Sequence, residues 1–123
     1  MISYPAPAVL LFTYQGYMTA DVVPFIDQTV ARVLATGARP DLFVDLGRLD
    51  GYDSDYRRSI TRWGAANIRY FGDYWFFVRS RLVAIGVAVS NITAGGRLQV
   101  TTKRAEFDAA MSAAVRRQSQ RGV

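Results

Sequence analysis

An acidic stretch that leads into a serine and two arginines is the first place in this sequence where chemistry could occur. Asp53 precedes Ser54, and Asp55 follows it before Arg57 and Arg58. A serine at a helix start can cap the helix, or it can carry a phosphate that backbone N–H groups and arginines would bind. The neighbouring aspartates would repel that phosphate. Both roles, a cap and a phosphorylation site, therefore stay open, and we expect Ser54 to be at least the cap.

A second cluster consists of Arg79, Ser80 and Arg81, where a predicted strand gives way to a predicted helix. Open α/β sheets bind ligands beyond the carboxyl ends of their strands, and guanidinium groups recognise phosphate and carboxylate. These three residues are a candidate anion or ligand-binding site. The alternative is that Ser80 only caps a helix and that both arginines are solvated.

Cysteine and histidine are both missing from the chain. Disulfides, thiol nucleophiles, Cys- or His-ligated metals and Ser-His-Asp catalysis are therefore excluded. Only Asp, Tyr, Ser and Arg remain for chemistry, so we expect a protein that is not an enzyme and that needs no cofactor or metal.

The charge is positive and unevenly distributed. The net charge is +5, and 14 of the 15 basic residues are arginine, a bias that a GC-rich genome also explains. Five aspartates lie between positions 41 and 55, whereas nine bases and one acid lie between positions 57 and 104. This distribution suits a protein partner with an acidic surface. Nucleic acid is not expected, because base stacking needs an exposed sheet face.

Hydrophobic periodicity predicts one α/β domain in the 123 residues. Strands and helices alternate four times, which favours a mostly parallel sheet of four to five strands with about four helices. We predict the domain at residues 1–115 and a basic C-terminal tail at 116–123. The predicted strands are Val9–Tyr14, Leu42–Leu46, Tyr74–Ser80 and Leu98–Thr101, with Ile2–Tyr4 as a candidate hairpin partner. Four helices are predicted: one after Asp21, one at Ser54–Phe71, one at Leu82–Thr93 and one after Thr102. A loop is predicted at Gly47–Asp53.

The N-terminus has no basic region of the kind that begins a signal peptide. The longest apolar run, Leu82–Ile92, is too short to cross a bilayer. We therefore expect no membrane span and a cytoplasmic location.

The stretch from Val44 to Ser54 resembles the central signature of STAS domains, the fold of bacterial anti-sigma-factor antagonists. In that family, a strand ending in Asp-Leu is followed by a short loop and by Asp-Ser at a helix start. Here Asp45-Leu46 and Asp53-Ser54 fall at the matching spacing. The order of predicted elements is also similar, so the resemblance implies a STAS-like fold across nearly the whole chain.

The chain is most similar to small stand-alone bacterial STAS-like proteins that border on the CRAL-TRIO lipid-binding domains. Their Val-Asp-Leu strand, Gly-Tyr-Asp loop and small-residue-rich third helix look like Val44–Leu46, Gly51–Asp53 and Val83–Ala94. This similarity implies an alternative function, the binding of a small molecule or lipid with an anionic head group in the crevice at Arg79 and Arg81.

In the antagonists, a partner kinase phosphorylates the serine that follows the aspartate, and the surrounding surface docks the anti-sigma factor. That serine corresponds to Ser54, although Asp55-Tyr56 stands here where the antagonists have small residues. The resemblance implies a non-catalytic regulatory module that binds another protein through residues 51–62, and it leaves a homodimer open. The implied partner-binding or phospho-switch residues are Asp53, Ser54, Tyr56, Arg57 and Arg58.

The state of the core separates these two hypotheses. An internal apolar cavity of roughly 300 Å³ or more is typical of a ligand binder. A filled core beneath an exposed patch of tyrosine and arginine is typical of a protein-interaction module.

Overall fold

The computed structural model describes residues 1–79 and 97–121. Their elements, in chain order, are strands β1 (Ile2–Ala6) and β2 (Val9–Met18), helix α1 (Val22–Leu34), strand β3 (Asp41–Tyr52), helix α2 (Ser54–Asn67), a 3-10 turn (Ile68–Tyr70), strands β4 (Tyr74–Phe77) and β5 (Gln99–Thr101), and helix α3 (Arg104–Arg121). These residues hold three α-helices, against about four predicted. The helix predicted at Leu82–Thr93 lies outside them.

The five strands form one sheet in the order β1-β2-β3-β4-β5. β1 pairs antiparallel with β2, and the other three pairings are parallel. The predicted N-terminal hairpin and the mostly parallel sheet are thereby confirmed. In the sequence, segments with the 3.6-residue hydrophobic period of a helix alternate with segments that have the two-residue period of a strand. The helices and strands of this fold alternate in the same way.

Both faces of the sheet are buried, because apolar side chains alternate between its two sides. One face packs against α1 and α2, with Leu10, Phe12, Leu42, Val44 and Phe76 from the strands and Ile26, Val30, Tyr56 and Trp63 from the helices. The other face packs against α3, with Val9, Phe43 and Phe77 from the strands and Phe107 and Ala114 from the helix. The helices therefore cover the sheet from two sides.

Strand β3 is longer than predicted. The prediction of a loop at Gly47–Asp53 is wrong for positions 47–52, which belong to the strand. The strand stays paired with β2 as far as Met18 opposite Tyr52, with two register shifts on the way. β4 pairs with β3 only as far as Asp45. The two glycines and the aspartate in this stretch are typical of a loop, but the backbone hydrogen bonds to β2 and the burial of Leu49 hold it in the sheet.

The ends of the helices also depart from the prediction. α2 ends at Asn67, and a 3-10 turn follows it where the helix was expected to reach position 71. α3 runs to Arg121, so residues 116–121, which we assigned to a basic tail, form its last turns. Within these turns, Gln118 Oε1 accepts a hydrogen bond from the Ala8 N–H at 3.0 Å. None of the helices in the described ranges is long and apolar enough to cross a bilayer.

Candidate functional site

The start of α2 is capped by Asp53, not by Ser54. Asp53 has an extended backbone (φ −86°, ψ 168°), and its Oδ1 accepts a hydrogen bond from the Tyr56 N–H at 2.7 Å. Its own N–H donates to the Met18 carbonyl at 3.1 Å, which ties the cap to the end of β2. The prediction that Ser54 caps the helix is wrong, because an aspartate leaves the sheet one residue earlier and takes that position.

Ser54 is the first residue inside α2, and its side chain is exposed. Asp55 and Arg58 are also exposed and form an ion pair with each other across one helical turn. Arg57 is half-buried beside them. We call these four residues the α2 face. It brings together three of the predicted partner-binding residues, with Asp53 directly below them as the cap.

Tyr56, the other predicted partner residue, lies in the core. It is 6 % exposed, and its ring centroid lies 5.9 Å from that of Tyr52. Burial raises the pKa of its hydroxyl, with smaller contributions from Tyr74, Tyr14 and Tyr52. Tyr56, the third residue of α2, packs into the core between the helix and the sheet, whereas Ser54, Asp55 and Arg58 are exposed. Its assignment to a docking surface is wrong.

The core beneath α1 and α2 is filled. The void there is about 10 Å³, lined by apolar and tyrosine side chains that include Tyr14, Tyr56 and Tyr74. Burial raises the pKa of all three tyrosines. The Tyr14 hydroxyl is buried and has no hydrogen-bond partner among the described residues. A space of this size holds one water molecule at most.

Of the second predicted cluster, the structure describes Arg79 alone. This arginine is exposed, and its Cζ lies 5.9 Å from the centroid of the Phe77 ring. Ser80 and Arg81 lie outside the described residues.

A groove lies beside the middle of β2 and β3, where β4 ends opposite Asp45, and it was not predicted as a whole. We call it the groove at the strand ends. Its volume is about 550 Å³, and its lining residues are Met1, Thr13, Tyr14, Gln15, Asp45, Arg48 and Arg104. Arg104 Nη1 donates to Asp45 Oδ2 at 2.8 Å, and the Arg104 Cζ lies 4.1 Å from the centroid of Phe77. The hydrogen bond that Arg104 donates to Asp45 raises the pKa of the guanidinium group. The Arg104 guanidinium is therefore held between the Asp45 carboxylate and the Phe77 ring.

The sequence analysis missed the groove because its residues are far apart in the chain. Asp45 and Arg104 are separated by 59 positions, and Arg48 was assigned to a loop. One signal was available, since Asp45 is a charged residue within an otherwise apolar strand and therefore needs a partner.

Gly47 allows β3 to lie close to the Phe77 ring at the end of β4, next to this groove. A Cβ atom at position 47 would lie 2.7 Å from Phe77 Cε2 and 3.2 Å from Asp45 Oδ1. The Gly47 N–H donates to the same Asp45 Oδ1 at 3.0 Å. Asp45 is therefore held by the backbone on one side and by Arg104 on the other.

No family model matches this sequence, and no curated protein matches it. Among solved structures, the chain is similar to an uncharacterized protein of the DUF3478 family with a SpoIIAA-like fold from Shewanella loihica PV-4. The two are 15 % identical, the match covers 90 % of each chain, and the TM-score is 0.66. This chain has a SpoIIAA-like fold. A structure of Mglu matches 85 % of this chain and 19 % of its own at 17 % identity, with a TM-score of 0.39.

The SpoIIAA-like fold confirms the resemblance to STAS domains at the level of architecture. Within it, the two candidate sites lie on different layers. The α2 face belongs to a helix that covers one side of the sheet, whereas Arg104 begins the helix that covers the other side. A ligand at one site would therefore not occupy the other.

Proposed function

We propose that this SpoIIAA-like protein is a non-catalytic regulatory module that binds another protein through the α2 face. The main support is that Ser54, Asp55 and Arg58 are exposed together at the start of one helix, and that, in the described part of the chain, the void between the sheet and helices α1 and α2 is about 10 Å³. A filled core with a charged, solvent-facing helix end favours a surface interaction over a buried ligand. The SpoIIAA-like fold is consistent with this role.

Phosphorylation of Ser54 would change the charge of the α2 face. A phosphate carries a charge of about −2 and binds arginine through strong, charge-assisted hydrogen bonds. Arg58 is paired with Asp55, so the phosphate would compete with that carboxylate for the same guanidinium. An exposed ion pair of this kind contributes only about 0–1 kcal/mol and is easily exchanged. The modification would therefore turn a mixed-charge surface into an acidic one.

The unmodified α2 face is suited to a partner with an acidic surface. Arg57 and Arg58 are its two cations, and the whole chain has a net charge of +5. Phosphorylation would then weaken the complex by repulsion, since both surfaces would be acidic.

The alternative function was the binding of a small molecule or of a lipid with an anionic head group, and the lipid finds less support. The void of about 10 Å³ between the sheet and α1 and α2 cannot hold an acyl chain. The larger groove at the strand ends is lined by polar and charged side chains. These side chains suit a small anion better than an acyl chain.

Direct binding measurements test the α2 face. The tagged full-length chain captures partners from an extract of the native host, and a captured protein is then purified and titrated by calorimetry. We expect Ser54→Ala to bind like the wild type. We expect Ser54→Glu, and the double variant Arg57→Ala with Arg58→Ala, to bind at least about tenfold more weakly.

Ser112→Glu is the matched control, because it places the same change at an exposed serine of α3. Circular dichroism and urea unfolding of each variant show that the fold is retained. If Ser54→Glu and the double arginine variant both bind with wild-type affinity, the α2 face is not the docking surface.

A further inference from the structure

We propose that the groove at the strand ends binds a small molecule through a phosphate or carboxylate group, with Arg48 and Arg104 as the binding residues. This site lies apart from the α2 face and does not depend on the function proposed for it. Three observations support it: two arginines line the groove, Arg104 is held in place, and the groove has the size and polarity of a small-molecule site.

Two arginines from different elements line this groove. Arg48 extends from β3, and Arg104 begins α3 after β5. An anion bound in the groove could accept charge-assisted hydrogen bonds from both guanidinium groups.

Arg104 is held in place before any ligand binds. Its Nη1 donates to Asp45 Oδ2 at 2.8 Å, and its Cζ lies 4.1 Å from the centroid of the Phe77 ring. A guanidinium has five N–H donors, so most of them stay available for a second oxyanion. Immobilising a flexible side chain in advance reduces the entropy that binding would otherwise cost.

Ion pairs with acids engage Arg104, but among the described residues they leave Arg48 unpaired. Asp45 is engaged by Arg104 and by the Gly47 N–H, and Asp108 lies 3.9 Å from Arg104 Nη1 on the exposed side of α3. Arg48 lines the groove, is exposed, and forms no ion pair with any residue in ranges 1–79 and 97–121. Arg48 is therefore the cation most available to an incoming anion.

The size and lining of the groove define the ligand class. Its volume of about 550 Å³ lies within the range of roughly 300–1,000 Å³ that is typical of small-molecule sites. Thr13 and Gln15 add polar atoms to the wall, on the strand next to Arg48. A polar small molecule with one or two anionic groups fits this lining better than an acyl chain does.

Calorimetric titration of the full chain with inorganic pyrophosphate and, separately, with succinate tests the proposal at constant ionic strength. We expect at least one probe to bind saturably at a single site. Arg48→Gln should then weaken binding about tenfold, whereas Arg116→Gln should change it by less than about twofold. Arg116 is an exposed arginine of α3 that does not line the groove, so this control removes the same charge elsewhere.

Arg104→Lys gives a second test, because it keeps the charge but loses the planar fork, and it should weaken binding as well. Three results would overturn the proposal. The first is that neither probe binds saturably. The second is that Arg48→Gln and Arg116→Gln weaken binding equally, which would show that binding depends only on the net charge of the chain. The third is that the chain binds vesicles of anionic lipid but neither free probe.

Discussion

The carboxylate of Asp53 accepts a hydrogen bond from the Tyr56 N–H at 2.7 Å, and this contact determines how α2 begins. It fixes Tyr56 on the side of the helix that faces the sheet, where the tyrosine is buried. It also leaves Ser54 inside the first turn with its hydroxyl exposed. The capping role and the exposed serine therefore belong to two adjacent residues, and each can be changed without the other.

Asp53→Ala should destabilise the protein by about 1 kcal/mol, the typical cost of losing an N-cap side chain. Ser54→Ala should change the free energy of unfolding by less than about 0.5 kcal/mol, since it alters an exposed side chain without a capping bond. Urea unfolding of both variants measures the two values. A larger loss for Ser54→Ala than for Asp53→Ala would contradict the capping geometry.

Trp63→Ala should destabilise the protein by about 3–5 kcal/mol, because it removes a large buried aromatic ring. Trp63 is 8 % exposed, and its ring centroid lies 5.6 Å from that of Phe71. Its Nε1 also donates to Asp27 Oδ1 at 3.0 Å. Asp27→Ala, which removes only the acceptor, should cost about 0.5–1.5 kcal/mol. Chemical denaturation compares them, and a loss below about 1 kcal/mol for Trp63→Ala would show that the ring is not a core residue.

Gly47→Ala should destabilise the protein by about 1–3 kcal/mol, the usual cost of overpacking. The added methyl group would lie 2.7 Å from Phe77 Cε2. Gly64→Ala is the matched control, because Gly64 lies inside α2 with nothing within 4 Å of the added Cβ. That variant should gain about 0.5–1 kcal/mol from the higher helix propensity of alanine. Thermal unfolding ranks the two, and equal effects would contradict the close approach at Gly47.

Stability should fall as the pH rises above about 10, the ordinary pKa of tyrosine. Burial raises the pKa of Tyr14, Tyr56 and Tyr74 above that value in the folded protein. The unfolded chain then loses protons that the folded chain keeps, so stability is complete below pH 10 and decreases above it. Each tyrosine contributes a slope of about 1.4 kcal/mol per pH unit.

Tyr14→Phe tests this effect at one position. Its buried hydroxyl has no partner among the described residues, so at neutral pH the variant should be as stable as the wild type or more so. At alkaline pH its stability should fall less steeply, since one ionising group is gone. Urea unfolding at several pH values measures both. An unchanged alkaline slope would show that Tyr14 ionises alike in the folded and unfolded chains.

Much of the fold could be predicted from local patterns in the chain. The apolar run at Val9–Tyr14 and the aromatic run after position 73 are strands, as expected from their composition. Gly37 lies in the turn after α1 with a φ of +83°, a backbone conformation that glycine adopts without strain. Trp63 follows Ile60 at a helical spacing of three, a pattern typical of a buried face, and it is buried. These features depend on a few neighbouring residues, which a sequence displays directly.

The candidate sites could be predicted only in part. The Asp-Ser pair at the start of α2 was found from the sequence, but the choice of cap was not, because either side chain can accept the bond. Tyr56 was placed on the surface since tyrosine is often found at interfaces. Its burial depends on the orientation of α2 over β3, and a local sequence pattern does not predict that orientation.

The sequence by itself determined the alternation of strands and helices, the α/β class and the exclusion of cysteine and histidine chemistry, because composition and periodicity are properties of the chain. Only the tertiary structure decided that β3 continues through Gly47 and Gly51, since β2 supplies the hydrogen bonds that keep the strand extended. It also joined Asp45 to Arg104 across 59 positions. Contacts of that range are made by folding, so the basic groove exists only in the folded protein.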